Sequence, residues 1–361
     1  MIKKGMIMNE TVYFIKSELN LSDDDLSIKL KETITNNNLI DYIESKDTIA
    51  IKTHFGEKKD LGYARPVYIK TIGELIKEKG ALPFITETST LYKGGRTNAI
   101  DHIALAHDHG FGFDQTNMPI IMLDGLYGDE ETEIPIKGKI YNKVKVASLL
   151  TKCQSMIMVS HFTGHLLAGY GCALKNLGMG CASRKGKMAQ HSTVKPKIKK
   201  KVCTKCAVCI KWCPEDAITM TDESAVIDKE KCIGCGECLA VCRFDAVSYN
   251  WGASHEDIQK MVVEHALGVT EAISNKILYI NFLTQISKDC DCMGTYENIV
   301  PDIGILISYD PVAIDQASID LVEKVSGKKL SDIAYNIPYN YQLDYTDEIG
   351  FGNRNYELKE I

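Results

Sequence analysis

The chain has 361 residues, 45% of them apolar, and a formal net charge of −6 from 42 basic and 48 acidic side chains. That length suggests two or three domains with enough apolar surface for a large core. The mild charge names no partner, and no run of about 18 apolar residues marks a membrane span.

The stretch from Met1 to Glu10 carries lysines but no long apolar segment, so no secretory leader is expected. Apolar runs then read as buried strands at 49–53, 82–86, 119–123, 156–160, 277–280 and 303–308. Between them lie helices. Residues 66–79 place Ile69, Ile72, Leu75 and Ile76 on one stripe, with Pro66 at the first turn and Gly80 just past the end. Residues 98–109 end the same way at Gly110, and His107 and His109 suit the negative pole there. Two later stripes run through Ile258, Met261, Val262 and Ala266, and through Ile314, Ala317, Leu321 and Val325. Alternating strand and helix predicts an α/β fold, a mostly parallel sheet with helices on both faces. The segment 129–133 reads as a solvated acidic loop, and the tail carrying Tyr335, Tyr339, Tyr341, Tyr345 and Tyr356 has no predicted place.

Thirteen cysteines interrupt this pattern. Cys203, Cys206, Cys209 and Cys213 precede Pro214, and Cys232, Cys235, Cys238 and Cys242 follow; each group is C-x2-C-x2-C-x3-C. That spacing wraps three thiolates around one [4Fe–4S] cube and lends the fourth to a neighbouring cube. The crossing rule assigns Cys203, Cys206, Cys209 and Cys242 to one cluster, and Cys232, Cys235, Cys238 and Cys213 to the other. Zinc knuckles are the competing reading, but they need only two C-x2-C pairs per ion. Residues 202–249 resemble a bacterial two-cluster ferredoxin, with small or apolar residues between the ligands (Ala207, Val208, Ile210, Ile233, Gly234, Gly236, Leu239, Ala240). Arg243 stands where a second proline would follow the second run.

Strands on both sides of the cysteines imply a small α+β two-cluster ferredoxin-like domain inserted into the α/β domain. The expected division is 1–195, 196–251 and 252–361. Residues 182–202 carry eight basic side chains (Arg184, Lys185, Lys187, Lys195, Lys197, Lys199, Lys200, Lys201) and no acid. They read as a solvated linker, or as a docking face for an acidic electron donor or an anionic substrate. Nucleic acid is disfavoured because no aromatic residues interleave with the lysines. Cys153, Cys172, Cys181, Cys290 and Cys292 remain; their odd number argues against a disulfide framework and for a reducing cytoplasm. Exposed low-potential clusters tolerate oxygen poorly, so an anaerobic host is expected.

In open α/β sheets ligands bind beyond the carboxyl ends of the strands. His54, Glu87 with Thr88 and Ser89, Asp124, His161, Asn281 and Asp310 follow the six predicted strands, so a parallel sheet would gather them. Asp310 also suits a helix N-cap, Asp124 a turn, and His54 and His191 ordinary structural or solvated roles. His161 and His165, four apart, could share a metal or an anionic substrate. The glycine-punctuated segment from Gly169 and Gly171 to Gly180 exposes amides, and its Lys175 could hold a phosphate or carboxylate. It matches neither Walker A nor dinucleotide fingerprints. Lys93, Gly94, Gly95 and Arg96 form a second basic, glycine-rich turn. Cys290 and Cys292 are too close for a relaxed disulfide and read as soft-metal ligands, a redox thiol pair or inert buried thiols.

Several segments together resemble the family known as domain of unknown function 362: Lys52 to Glu57, Thr88 to Tyr92, Ser160 to His165, Ala173 to Gly180, Cys290 to Cys292, and Asp310 to Asp315. Many members of that family carry a ferredoxin insertion. The resemblance implies the architecture, imports no reaction, and puts His54, His161, His165, Lys175, Cys290 and Cys292 first among candidate site residues. The expected function is an oxidoreductase that relays electrons from a ferredoxin, flavodoxin or other reductase through two [4Fe–4S] clusters. A further metal or small-molecule cofactor could sit in the α/β pocket. The alternatives are a non-catalytic electron carrier or accessory protein, and a hydrolase or lyase whose clusters are structural.

Overall fold

The computed structural model describes residues 10–17, 21–57, 62–91, 94–191, 195–213, 215–232, 238, 241–244, 246–248, 255–292 and 297–361. Strand β1 (Glu10–Lys16) and helix α1 (Asp23–Asn36) lead to β2 (Thr48–Lys52), α2 (Pro66–Glu78) and β3 (Leu82–Thr86). A capping box starts α1: the Ser22 side chain accepts from the Asp25 N–H, and the Asp25 carboxylate takes the Ser22 N–H. Next come α3 (Ala99–Asp108), α4 (Phe113–Thr116), the hairpin β4 (Glu131–Pro135) with β5 (Lys143–Ala147), and β6 (Ser155–His161). β7 (Thr163–His165) and β8 (Gly169–Gly171) pair antiparallel and deliver the chain to α5 (Ala173–Gly178) and α6 (Arg184–Gln190).

The cysteine-bearing segment contains β9 (Lys197–Ile198), α7 (Val208–Lys211), β10 (Ile218–Met220), β11 (Ala225–Ile227) and β12 (Val247–Ser248). β10 pairs with β11 and β9 with β12, both antiparallel. The chain then returns through α8 (His255–Ala272), β13 (Ile277–Leu283), β14 (Gly304–Ser308), α9 (Pro311–Ser326), α10 (Leu330–Ile333), α11 (Tyr341–Ile349) and β15 (Tyr356–Glu360).

Seven strands form one sheet in the order β15-β1-β14-β13-β6-β2-β3. β13, β6, β2 and β3 run parallel, and β14 alone runs against its neighbours. The sheet is buried on both faces. Ile49, Ile51, Ile157 and Val159 pack on the side of α1 and α2, whereas Ala50, Met156 and Met158 face the other core with α5, α8 and α9. Side chains of period two therefore serve two cores at once, each buried isoleucine contributing about 1.5–3 kcal/mol relative to exposure. On the second face α5 crosses α8 so closely that a methyl on Gly178 would collide with the Val262 carbonyl. A third, small core joins Cys238, Ile218, Ala225 and Val247 to Met188 of α6.

The structure corrects several expectations. Residues 119–123 form no regular strand but run parallel beside β3: Ile120 bridges Ile85, and the N–H groups of Ile121 and Leu123 bond the Ile85 and Glu87 carbonyls. Because β14 is antiparallel, Asp310 lies at the opposite edge from the other strand-end residues, where it caps α9. Asn281 sits inside β13, which continues to Leu283, and its amide binds Asp315 and Ser318. The acidic stretch is half strand, because β5 pairs with Glu131–Pro135. Part of the basic stretch is the helix α6, with Lys187 buried, not a solvated linker. The tyrosine-rich tail packs back: the hydroxyl of Tyr345 donates to Glu264 at 2.6 Å, and that of Tyr356 to Asp320 at 2.7 Å. No helix among the described residues is long and apolar enough to cross a membrane.

Candidate functional site

Two features stand out, a thiol-lined hollow and a buried ionic cluster. The hollow is lined by Cys203, Cys206, Cys209 and Cys242, with Ile198, Val208, Met220 and Phe244 as apolar walls, and is partly open to solvent. Between the first cysteines, Lys205 and Ala207 hold the left-handed region at φ 58° and 59°, which costs non-glycine residues roughly 1–3 kcal/mol each. Cys242 arrives from the second run, more than thirty residues later. The Cys209 thiol is pushed up by burial and by the neighbouring Cys206, Cys242 and Cys203. Of the second set, Cys238 is buried, Cys213 and Cys232 are half-buried, and Cys213 Sγ accepts the Ala217 N–H at 3.2 Å. Cys235, Lys93 and Pro214 lie outside the described residues. Among the described residues no three His, Cys, Asp or Glu side chains converge tightly enough to hold a single metal ion.

The ionic cluster occupies the carboxyl ends of β2, β3 and β6. Lys52 Nζ meets Glu87 Oε1 at 2.5 Å and donates to Asn176 Oδ1 at 2.7 Å. Burial alone would raise the Glu87 carboxyl, but Lys52, His102 and Arg96 outweigh it and hold it below the usual value. Arg96, almost wholly buried, donates from Nε to Glu57 at 3.2 Å and from a terminal nitrogen to His54 Nε2 at 2.7 Å. The Gly56 N–H also points at His54 Nδ1, at 2.9 Å. A neutral imidazole carries one N–H, so one of these two contacts sets donor against donor. Burial, then the charges of Arg96, Lys52 and Lys175, keep that ring well below the ordinary histidine range. His102, also buried, packs edge-on to Phe55, and neither of its ring nitrogens has a partner among the described residues.

Lys175 reaches this cluster from α5. Burial pushes its amine down to about 8, against the pull of Asp291. Burial and the Lys175 charge also lower His165, far below the ordinary range, and His191, to about 4. His165 Nδ1 accepts the N–H groups of Leu167 and Ala168. Lys187 of α6 donates to Thr88 Oγ1 at 2.6 Å, and its amine falls to about 8 through burial. Asp124 accepts the Ser89 N–H at 2.7 Å, and burial raises its carboxyl to about 6.

His161 holds Asp291 Oδ1 at 2.8 Å through Nδ1 and the Thr284 carbonyl at 2.8 Å through Nε2. A carbonyl only accepts, so Nε2 carries hydrogen. Both His161 nitrogens are engaged within the protein. Cys290 and Cys292 are joined by a disulfide across Asp291. The sequence argued against that bond, but the bend there brings the Cα atoms to 5.2 Å, inside the usual range.

The predicted His54, His165 and Lys175 thus share one electrostatic neighbourhood, and His161, Cys290 and Cys292 adjoin it through Asp291. Gly171 belongs there too, since a Cβ on it would touch the Lys175 chain, whereas Gly169 faces Tyr339. Sequence reasoning gave no role to Lys52, Lys187 or His102. Lys52 was detectable as a lone lysine inside an otherwise apolar strand; the burial of Lys187 and His102 depends on packing between distant segments and had no local signal.

A two-faced, mostly parallel α/β sheet with buried ionisable groups at its strand ends defines the class. The family model described as Domain of unknown function (DUF362) matches residues 49–320, and the chain belongs to that family. No curated protein matches. Among solved structures, the lactate racemase apoprotein from Thermoanaerobacterium thermosaccharolyticum is 13% identical with a TM-score of 0.40, covering 77% of this chain and 51% of the racemase. A protein from Thermotoga maritima is 11% identical with a TM-score of 0.43, covering 85% of this chain and 60% of its own. The chain thus spans about half to three-fifths of these proteins, and likeness at that level carries no functional argument.

Proposed function

We propose that this protein is an iron–sulfur oxidoreductase in which a ferredoxin-like segment, residues 196–251, passes electrons to the ionic cluster of the α/β body, residues 1–195 and 252–361. The observation that carries the reading is the meeting of Cys242 with Cys203, Cys206 and Cys209 in one hollow. Crossing of a fourth cysteine from the other run is what a paired-cluster arrangement requires. The thiols line walls instead of meeting at a point, which suits a cube better than zinc, whose sulfurs must converge at about 2.3 Å from the ion. Apolar walls and the N–H bond to Cys213 Sγ are the kind of surroundings that tune such clusters. When bound, two [4Fe–4S] clusters supply single low-potential electrons.

The chain's own residues supply the rest. Lys175 holds an anionic group of the substrate; the Ala173 and Leu174 amides at the start of α5 are already taken by Asp315. His54 and His165 are kept neutral, and Asp124, with its carboxyl raised to about 6, moves protons near neutral pH. A pure electron carrier has no use for so many buried ionisable groups, which favours the enzyme over that alternative. The proposed donor is a ferredoxin, flavodoxin or other reductase in the cytoplasm of an anaerobe, docking beside the exposed lysines near Lys199 and Lys200. The test is Cys242→Ser in protein isolated without oxygen. The reading expects it to lose about half the iron; retention of all the iron, or no iron in the parent protein, contradicts it.

A further inference from the structure

Three of the five cysteines outside the cluster set are chemically quiet. Cys153, Cys172 and Cys181 are buried, and burial pushes their thiols up, Cys153 to about 11 and Cys181 to about 12. Thiolate, the reactive form, is therefore scarce at all three. Cys290 and Cys292 differ: they are bonded to each other, and the residue between them is held by His161. Asp291 also pulls on Lys175, so the disulfide belongs to the ionic cluster.

Helix α6 gives a path between it and the cysteine-bearing segment. Met188 of α6 sits in the same small core as Cys238. Lys187, its neighbour, bonds Thr88 at the end of β3. His191, which ends α6, lies in the field of Lys175, and Lys175 in that of Asp291. The path runs through one short helix and one ionic cluster.

We propose that the Cys290–Cys292 disulfide is a two-electron acceptor fed by the clusters, so that this site cycles between disulfide and dithiol during turnover. The inference rests on the iron–sulfur reading above. Each cluster carries one electron; a disulfide takes two and two protons, breaking one S–S bond and leaving two S–H groups. The electrons come from a low-potential one-electron donor of the ferredoxin or flavodoxin class. The protons enter through Asp291 and His161, which share one across 2.8 Å. The dithiol then returns the pair to a two-electron substrate held near Lys175, closing the S–S bond again. Two clusters in one chain match this step in electron count.

The test uses the anaerobic holoprotein, titrated with dithionite-reduced ferredoxin while cluster bleaching is followed, with iodoacetamide alkylation mapped before and after. The parent takes up about four electrons, two in bleaching and two in the disulfide, and Cys290 and Cys292 become alkylated only after reduction. Cys290→Ser with Cys292→Ser bleaches to the same extent but takes up about two. Full bleaching with only two electrons in both proteins, or equal alkylation before and after reduction, overturns the proposal. Absence of bleaching with no bound iron overturns the cluster reading as well, so the two failures are told apart. Since dithionite carry-over could open the disulfide directly, Cys213→Ser with Cys242→Ser serves as control; an equally fast opening there also overturns it.

Discussion

Lys52 Nζ and Glu87 Oε1 lie 2.5 Å apart at the ends of two adjacent parallel strands, and both side chains are almost fully excluded from solvent. An ion pair so placed holds the entrance of the sheet together only while both charges are present. Lys52→Met removes the nearest cation from the buried Glu87 carboxylate and is expected to cost roughly 3–5 kcal/mol. Lys52→Met with Glu87→Leu should recover most of that loss. Urea unfolding of the two variants measures the difference; equal destabilisation by single and double change would mean the pair is not the source.

Lys175 and Lys187 should be the amines least protonated near neutrality. Lys175 has its pKa lowered from 10.5 to about 8, so around pH 8 roughly half of it is unprotonated, while the exposed lysines remain charged. Mapped acylation rates against pH should show a midpoint near 8 at Lys175. The sign for stability follows. The folded form binds the proton less tightly than the unfolded chain, so stability rises as pH climbs from about 8 toward 10.5. Lys187, lowered to the same value, contributes in the same window. Lys175→Met should flatten part of that rise; an unchanged pH profile in both Lys175→Met and Lys187→Met counts against the burial of these amines.

Asp310 serves structure. Its Oδ1 accepts the Val312 and Ala313 N–H groups at 2.7 and 3.0 Å, and its Oδ2 accepts the Asn353 N–H. Asp310→Ala is expected to cost about 1–2 kcal/mol in thermal or urea unfolding. Because β14 runs antiparallel, this residue lies at the far edge of the sheet from Lys175, and iron content should not change.

The close crossing of α5 and α8 gives a further prediction. Gly178→Ala drives a methyl into the Val262 carbonyl and must shift one helix, which carries Lys175. A destabilisation of about 1–3 kcal/mol is expected, with loss of the low acylation midpoint at Lys175. Full retention of both would show that the two helices do not meet so closely.

Much of this molecule is legible from the chain alone. Continuous apolar runs marked β2, β3, β6 and β13, because strands buried on both faces need no polar alternation. Pro66 with Gly80, and Asp310 before Pro311, marked helix ends through local backbone chemistry. The direction of β14 was not legible, since an apolar run reads the same whichever way it pairs. Residues 119–123 carry the composition of a strand and do lie beside β3, bonded to it through Leu123, though with one bridge among the described residues. Lys187 looked like a solvated charge amid other lysines, yet folding places it under Thr88. The cysteine spacing put Cys203, Cys206, Cys209 and Cys242 in one set, and these four line the hollow; the bend that closes Cys290 on Cys292 is set by the surrounding fold.

The most direct measurement is the iron, acid-labile sulfide and zinc content of protein purified without oxygen, joined to its visible absorbance. The account predicts a brown protein with about eight irons and eight sulfides per chain, bleached by a low-potential reductant. A colourless protein binding zinc without sulfide would contradict it.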